Sequence, residues 1–390
     1  MTKNRSIPYG RQNVTEEDVC AVVDILNSDW LTQGPAVERF ERAVADHCGA
    51  GYAVAVNSAT SALHIACLAA ELGPGDMLWT SPNTFVASAN CALYCAAGVD
   101  FVDIDPCSYN MGIVALEKKL VEASATGRLP KAVIPVHFAG QSCEMARIRE
   151  LSEQYGFRVI EDASHAIGGR YRGQEIGSGT FSDMTVFSFH PVKIITTGEG
   201  GMVLTNSKDL YERLVRLRSH GITRDPDLMR GDSHGPWYYQ QIELGFNYRM
   251  TDIQAALGIS QLQRLNEFVE RRHMLVRRYN EAFEGLPLTI PWQNADTYSA
   301  FHLYVIRLKL GEIAASHLEV FEQLHKRGIL VNLHYIPVHT HPYYQDLGFR
   351  PGDFPEAERY YQEAITLPLY AGLSLSDQDL VIAAVREVVQ

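Results

Sequence analysis

A lone lysine marks the first place where this chain could do covalent chemistry. Lys193 ends the run Ser188-Phe189-His190-Pro191-Val192-Lys193, and Ile194-Ile195-Thr196-Thr197-Gly198-Glu199-Gly200-Gly201 follows it. No other lysine or arginine lies between Arg172 and Lys208. Its neighbours Val192, Ile194 and Ile195 are apolar, which points to a poorly hydrated amine. Desolvation lowers the pKa of an amine, and a neutral amine is a nucleophile able to form a Schiff base. The glycines after it permit backbone turns that side chains block. Ser188 stands near the end of the apolar run Met184 to Phe189, which reads as a buried strand. Taken alone, the window also fits a lysine in a surface loop that happens to have apolar neighbours.

Three further windows put polar or aromatic groups at predicted strand ends. Ser58-Ala59-Thr60-Ser61 follows the short apolar run Tyr52 to Val56 and opens a helix. Free N–H groups and the positive dipole end of a helix suit a phosphate there, and a plain N-cap fits the same residues. Glu161-Asp162-Ala163-Ser164-His165 follows the apolar run Phe157 to Ile160. A carboxylate in that place could hold a heterocyclic N–H⁺ protonated and sustain an electron sink, or it could cap a helix. Phe85, after Trp79-Thr80-Ser81-Pro82, could stack on a ring, or it could be a core aromatic.

The histidines give a weaker signal. His334-Tyr335-Ile336-Pro337-Val338-His339-Thr340-His341-Pro342-Tyr343-Tyr344 reads as a polar, aromatic ligand-binding loop. A metal site there would need a further ligand such as Asp346, and we expect no metal. The chain contains no P-loop, GxGxxG, HExxH or GxSxG, which removes nucleotide hydrolysis, dinucleotide binding, zincin and α/β-hydrolase chemistry.

The elements needed to position these groups alternate along the chain. Strand-like runs at Tyr52 to Val56, Met77 to Thr80, Val99 to Val102, Ala132 to Val136, Phe157 to Ile160 and Met184 to Phe189 are separated by helical patterns. The helices read as Asn57 to Leu72, Phe85 to Ala97, Val114 to Ala125 and Met145 to Tyr155. The alternation predicts a mainly parallel, doubly wound α/β domain, which binds ligands beyond the carboxyl ends of its strands. Ahead of it, Thr15-Glu16-Glu17-Asp18 predicts a helix start, with Val19, Val22, Val23 and Leu26 at helical spacing. Residues 223–241 read as an irregular loop, and Ile253 to Phe283 as one long helix joining two lobes. We therefore expect a large α/β domain over residues 1–252, and the linking helix with a smaller α+β domain over 253–390.

Composition limits the partners. A chain of 390 residues with 46% hydrophobic and 21% charged residues is that of an ordinary globular protein. A net charge of −12 with dispersed basic residues argues against nucleic acid. No apolar run approaches the ~18 residues needed to span a bilayer, and Met1 to Pro8 has no signal-peptide core. Seven cysteines with apolar neighbours and no CxxC pair fit buried free thiols in a reducing compartment, so a cytoplasmic location is expected.

Together the windows resemble the DegT/DnrJ/EryC1/StrS family of pyridoxal-phosphate sugar aminotransferases. The resemblance is carried by Leu31-Thr32-Gln33-Gly34, Asn57 to Leu63, Glu161 to Ala166, Phe187 to Lys193 and Gly245-Phe246-Asn247-Tyr248-Arg249-Met250, and it runs nearly end to end. It implies the aspartate-aminotransferase type I fold. Lys193 would form the Schiff base with pyridoxal 5′-phosphate and then act as the acid/base. Asp162 would pair with the pyridine nitrogen, His165 would lie near the phenolic oxygen, and Phe85 would stack on the ring. The backbone of Ala59 and Thr60, with the Thr60 and Ser188 hydroxyls, would hold the phosphate. Asn247 would reach the phosphate of the neighbouring subunit, which makes the active unit a homodimer. Tyr9, the Asp29-Trp30-Leu31-Thr32 loop and the His334-Tyr335 loop would line the sugar-nucleotide site. One branch of the family carries histidine in place of the lysine and dehydrates its substrate; Lys193 favours transamination here. Ser164 departs from the alanine common in the family.

Within the family, Thr80 to Asn90, His325 to Leu330 and His334-Tyr335-x-Pro337 are similar to the UDP-sugar 4-aminotransferases of pseudaminic acid biosynthesis. The implied reaction moves an amino group from L-glutamate to C4 of a UDP-linked 4-keto-6-deoxy-N-acetyl hexose. Two alternatives stay open: an enzyme of the same family acting on another keto sugar, and a cofactor-binding regulatory protein without turnover.

Overall fold

The computed structural model describes residues 6–390; residues 1–5, part of the first expected domain and of the Met1 to Pro8 stretch read above for a signal-peptide core, lie outside the described residues. A seven-stranded sheet forms the centre. Its order is Tyr52–Val56, Gly201–Thr205, Met184–Ser188, Arg158–Asp162, Ala132–Ile134, Met77–Thr80 and Gly98–Phe101. All neighbours are parallel except Gly201–Thr205, which runs antiparallel to both of its partners. The inner strands are buried nearly throughout, with Val54, Ile160, Val186, Phe187 and Val203 fully covered. Unbroken apolar runs, rather than alternating ones, are what a sheet covered on both faces requires.

The predicted helices are present as Ala59–Ala69, Ala87–Tyr94, Ile113–Thr126 and Met145–Tyr155. The one expected from Phe85 starts two residues later, at Ala87. The expected single helix over 253–283 is two, Asp252–Leu262 and Leu265–Ala282. Gln263 and Arg264 leave the ladder, and Arg264 turns its guanidinium to the Asp18 carboxylate at 2.5 Å and to Asn13 at 3.0 Å. The apolar spacing continues across this break, which is why periodicity alone does not reveal it. Residues 223–241 are mostly irregular, closed at the base by the pairing of Ile222–Thr223 with Gln240–Gln241.

A second, three-stranded antiparallel sheet, Leu288–Thr289, Tyr304–Leu308 and Ala364–Leu367, packs with the helices His317–Lys326 and Leu375–Val389. The N-terminal strand Ile7–Pro8 pairs in parallel with Ile329–Leu330, so Tyr9 is delivered to this part of the molecule.

The helix Glu16–Leu26 begins at Thr15 with a capping box closed by Asp18. Most of its apolar residues do not face the core: Val19, Val23 and Leu26 are exposed, continuing to Trp30 and Leu31, while Ile25 packs against the core. The buried side is polar, with the Asp18 carboxylate receiving Ser260 Oγ at 2.6 Å and Gln261 Nε2 at 2.7 Å.

Candidate active site

The carboxyl ends of the parallel strands open into a cavity of about 590 Å³, at the edge where such sheets bind ligands. Met184–Ser188 brings Ser188, Arg158–Asp162 brings Asp162, and the loop after Ser188 brings Lys193. Tyr52–Val56 leads into Ser58, which caps the helix Ala59–Ala69 by accepting from the Ser61 amide at 3.1 Å. The cap reading of this turn is the one seen directly, and the phosphate reading stays an expectation. Ser58 is a cap, and the amides of Ala59 and Thr60, in a helical first turn, have no intrahelical acceptor. Gly201 faces that turn. A Cβ there would lie 2.5 Å from the carbonyl carbon and oxygen of Ser58 and 2.6 Å from the Ala59 nitrogen, so only glycine leaves the cup open.

Asp162 is buried, and its Oδ2 accepts from Ser88 Oγ at 2.6 Å while Oδ1 accepts from the Ser164 amide at 3.1 Å. Burial draws the Lys193 ammonium down to about 8, against the attraction of Asp162, which works upward. His165 is buried and held well below the usual histidine range, chiefly by burial, with the charge of Lys193 adding to it. Its Nε2 meets the Tyr335 hydroxyl at 3.1 Å, and among the described residues its Nδ1 has no partner. His334 is pulled down to about 3 by burial and by Lys193. Phe85 is 59% exposed, so it is not a core aromatic; its ring centroid stands 6.3 Å from that of Tyr335. Tyr9 packs on His334 at 5.0 Å between centroids.

The cavity thus gathers Tyr9, Ala59, Thr60, Phe85, Asp162 and His165, together with Ser188, Lys193, His334 and Tyr335. Asn247 and the Asp29–Thr32 loop do not line it within one chain. They lie together elsewhere: Thr32 bridges Thr251, the Asp252 amide donates to Leu31 O at 3.0 Å, and Asn247 bridges Ser219. The buried Asp252 carboxylate fixes this ribbon by accepting from the amides of Gly34 at 2.8 Å and Ala36 at 2.9 Å. Two charge-assisted bonds of roughly 1.5–3 kcal/mol each make it a firm anchor. Trp30 and Leu31 project from the ribbon into solvent.

Sequence reasoning missed Ser88, His302 and Asn332, all of which line the cavity. Ser88 lies in the first turn of the helix Ala87–Tyr94, and its hydroxyl meets that of Thr84, in the loop before the helix, at 2.8 Å. His302 has no local signal. Of the other expected histidines, His339 is taken by Glu358 at 2.8 Å, and among the described residues no group of three His, Cys, Asp or Glu could hold a metal.

A larger cavity of about 860 Å³ lies at the opposite end of the sheet. Its guanidinium groups are already matched, Arg158 to Asp183 at 2.8 Å, Arg149 to Glu153 at 2.7 Å and Arg216 to Glu243 at 2.8 Å. Neither Asp162 nor Lys193 lines it; both line the first cavity.

The family model of DegT/DnrJ/EryC1/StrS aminotransferases matches residues 12–386. The chain belongs to that family. It is 37% identical over 376 residues to the UDP-4-amino-4,6-dideoxy-N-acetyl-beta-L-altrosamine transaminase of Campylobacter jejuni, covering 96% of this chain and 95% of the relative. To the spore coat polysaccharide biosynthesis protein SpsC of Bacillus subtilis it is 40% identical over 391 residues, covering 100% and 98%. Among solved structures, the Helicobacter pylori aminotransferase PseC superposes with a TM-score of 0.89 at 32% identity, covering 99% of each chain. The putative sugar aminotransferase Spr1654 of Streptococcus pneumoniae in its PLP form gives 0.87 at 29% identity, covering 99% and 100%, and it is also known in a PMP form. The fold is the type I fold of pyridoxal-phosphate enzymes, and the chain is a sugar aminotransferase of this family that uses pyridoxal phosphate.

The cavity residues fit that cofactor. The cup at Gly201 and the open first-turn amides suit its phosphate. Asp162 and Lys193 both line the cavity, and the Nδ1 of His165, unpartnered among the described residues, is a buried polar atom open to a bonding partner.

Proposed function

We propose that this aminotransferase moves an amino group from L-glutamate to C4 of a UDP-linked 4-keto-6-deoxy-N-acetyl hexose, the step of the pseudaminic acid type. The observation that carries the reading is a relative at 37% identity, over nearly the whole chain, whose name states a 4-amino-4,6-dideoxy-N-acetyl sugar product. Pyridoxal phosphate, when bound, supplies the carbonyl that takes the amino group and the electron sink for the carbon that loses a proton. In this reading Lys193, a largely dry amine, binds the cofactor and then takes up and returns the substrate-carbon proton at Nζ. Asp162 holds the ring nitrogen's proton and Phe85 covers the open face. The first-turn amides of Ala59 and Thr60, with the Thr60 and Ser188 hydroxyls, grip the phosphate, and His165 bonds the phenolic oxygen.

The same reading makes the working unit a cytoplasmic homodimer, in which Asn247 and the Asp29–Thr32 ribbon of one subunit complete the cavity of the other. Two features support it. The ribbon is rigidly anchored yet lies outside its own cavity, and the exposed Val19, Val23, Leu26, Trp30 and Leu31 form an apolar surface continuous with it. Tyr9, His334 and Tyr335 then meet the sugar nucleotide from the C-terminal side, and residues 1–252 and 253–390 act as the two domains that enclose it.

The test is incubation of the purified protein with glutamate and the UDP-4-keto sugar, with the product analysed by NMR. An equatorial or axial amine at C4 and stoichiometric 2-oxoglutarate are expected. Amination at another carbon, or elimination of water, would replace this reading with another keto-sugar aminotransferase or a dehydratase. The higher identity to a spore coat polysaccharide protein, whose name fixes no sugar, is the observation that favours testing other 4-keto hexoses alongside. Failure of glutamate to convert the bound cofactor to its amine form would favour a regulatory protein without turnover.

A further inference from the structure

We propose that His302 is a positioning residue: its ring, laid against His165, sets the orientation of the His165 imidazole and of the Tyr335 hydroxyl bonded to it, beside Lys193. The proposal rests on the reading of this cavity as the cofactor site. The two imidazoles lie 4.4 Å apart between centroids at 42°, and both are buried. The His165 ring also lies nearly parallel to Tyr335, at 6.1 Å and 20°, and meets Phe138 edge-on at 6.2 Å. Of these three rings, His302 is the nearest. The only hydrogen bond of His165 among the described residues runs from Nε2 to Tyr335, and a single bond leaves rotation about that bond free. The ring plane has to be set by packing, and His302 supplies the close face.

His302 itself is fixed by its backbone. The corner Ser299–His302 passes so near Gly140 that a Cβ there would lie 2.7 Å from the Phe301 nitrogen and 2.9 Å from that of His302. Phe301 has φ +46°, a left-handed conformation that a non-glycine residue sustains only where its surroundings determine it, and Gly140 has φ +103°, which glycine adopts freely. From the helix Leu265–Ala282, the buried Arg272 Nη1 donates to the carbonyls of Phe301 and His302, each at 3.2 Å, and of Leu369 at 2.9 Å. His273, next to it, holds Ser299 O at 2.8 Å. A guanidinium buried without a carboxylate costs stability, so its placement under this corner is informative. The groups facing the pair are Lys193, His334, Arg272 and Tyr335, with Asp162 across the cavity acting on Lys193 and Tyr335. Cations predominate, and both imidazoles stay neutral.

His302→Ala removes the platform, and His302→Phe keeps a flat ring while deleting both nitrogens. Nitrogen-detected NMR of the apoprotein reads the tautomer and titration of His165 directly. In His302→Ala the His165 signal is expected to broaden and to titrate at higher pH, as water enters beside it, and kcat of the loaded enzyme to fall about ten- to a hundredfold with little change in KM. His302→Phe is expected to keep the wild-type His165 signal and to recover most of kcat. A wild-type His165 titration and kcat in His302→Ala overturns the proposal. So does a His302→Phe enzyme that forms the Lys193-dependent absorbance normally and is as impaired as the alanine variant, and this arm stands even if His302→Ala does not fold. Absence of any Lys193-dependent cofactor absorbance in the wild type would instead refute the reading of the cavity, and the apoprotein measurement would remain valid.

Discussion

The Asp162 carboxylate is held by the Ser88 hydroxyl at 2.6 Å, and Ser88 is held in turn by Thr84 at 2.8 Å. Asp162 ends one strand, whereas Ser88 rides on a helix more than seventy residues earlier in the chain. The carboxylate that is proposed to steady the cofactor ring is thus aimed from outside its own strand. A hydrogen bond to a charged group contributes roughly 1.5–3 kcal/mol, equivalent to about ten- to a hundredfold in affinity. Ser88→Ala is expected to weaken cofactor retention by that factor and to leave the fold intact, as equilibrium dialysis and circular dichroism would show. Unchanged retention would mean that Ser164 alone orients Asp162.

Lys193 titrates near 8 because burial opposes its charge. The neutral amine is the form that attacks a carbonyl. At pH 7.5 about a quarter of an amine with that value is neutral, against about a thousandth for an ordinary lysine. The rate at which apoprotein captures pyridoxal phosphate is expected to rise with pH up to about 8 and then level off. A rate still climbing tenfold per unit at pH 9.5 would show a lysine that is not desolvated. Lys193→Ala is expected to abolish both the near-visible absorbance and turnover.

The strands of the large sheet were legible because burial on both faces leaves continuous apolar runs such as Tyr52 to Val56 and Met184 to Phe189. Lys193 and Asp162 were legible for a related reason. Charge at the end of an apolar run is conspicuous, and the resemblance assigned the roles. His302 was not legible, because the corner that presents it is made by Gly140, Arg272 and Leu369, each distant in sequence. The outward apolar face of Glu16–Leu26 misleads in the opposite way. Helical periodicity reports one apolar side and cannot say whether that side meets the protein's own core or another molecule. The break at Gln263 and Arg264 is fixed by the side-chain reach of Arg264 to Asp18, again a long-range contact.

Gly201 offers a test of the phosphate cup with no change of charge. Alanine there meets the Ser58 carbonyl and the Ala59 nitrogen, both of them backbone atoms. Backbone cannot yield as a side chain can, so the helix start has to move away from the strand. Gly201→Ala is expected to cost about 1–3 kcal/mol of stability, typical of overpacking, and to weaken cofactor binding more than Gly200→Ala does. Gly200 would meet the Thr197 hydroxyl and the Met250 methyl, and the latter can shift. Equal cofactor affinity in the two variants, measured by fluorescence titration, would separate this turn from the phosphate.

Asn247 decides whether the active unit is shared between subunits. In one chain it bridges Ser219 and stands on the same ribbon as Thr251 and Asp252, away from the cavity of that chain. If it serves the partner's cavity, Lys193→Ala and Asn247→Ala damage different halves of each site. The Lys193→Ala protein is expected to be inactive and the Asn247→Ala protein strongly impaired. Co-refolding the two should form mixed dimers in which one cavity has its own Lys193 and receives the other chain's Asn247, while the second cavity lacks both. Activity should therefore return in the mixture, in proportion to the mixed dimer resolved by tagging one chain. If Asn247 served its own cavity, every mixed dimer would carry one lesion in each site, and mixing would restore nothing.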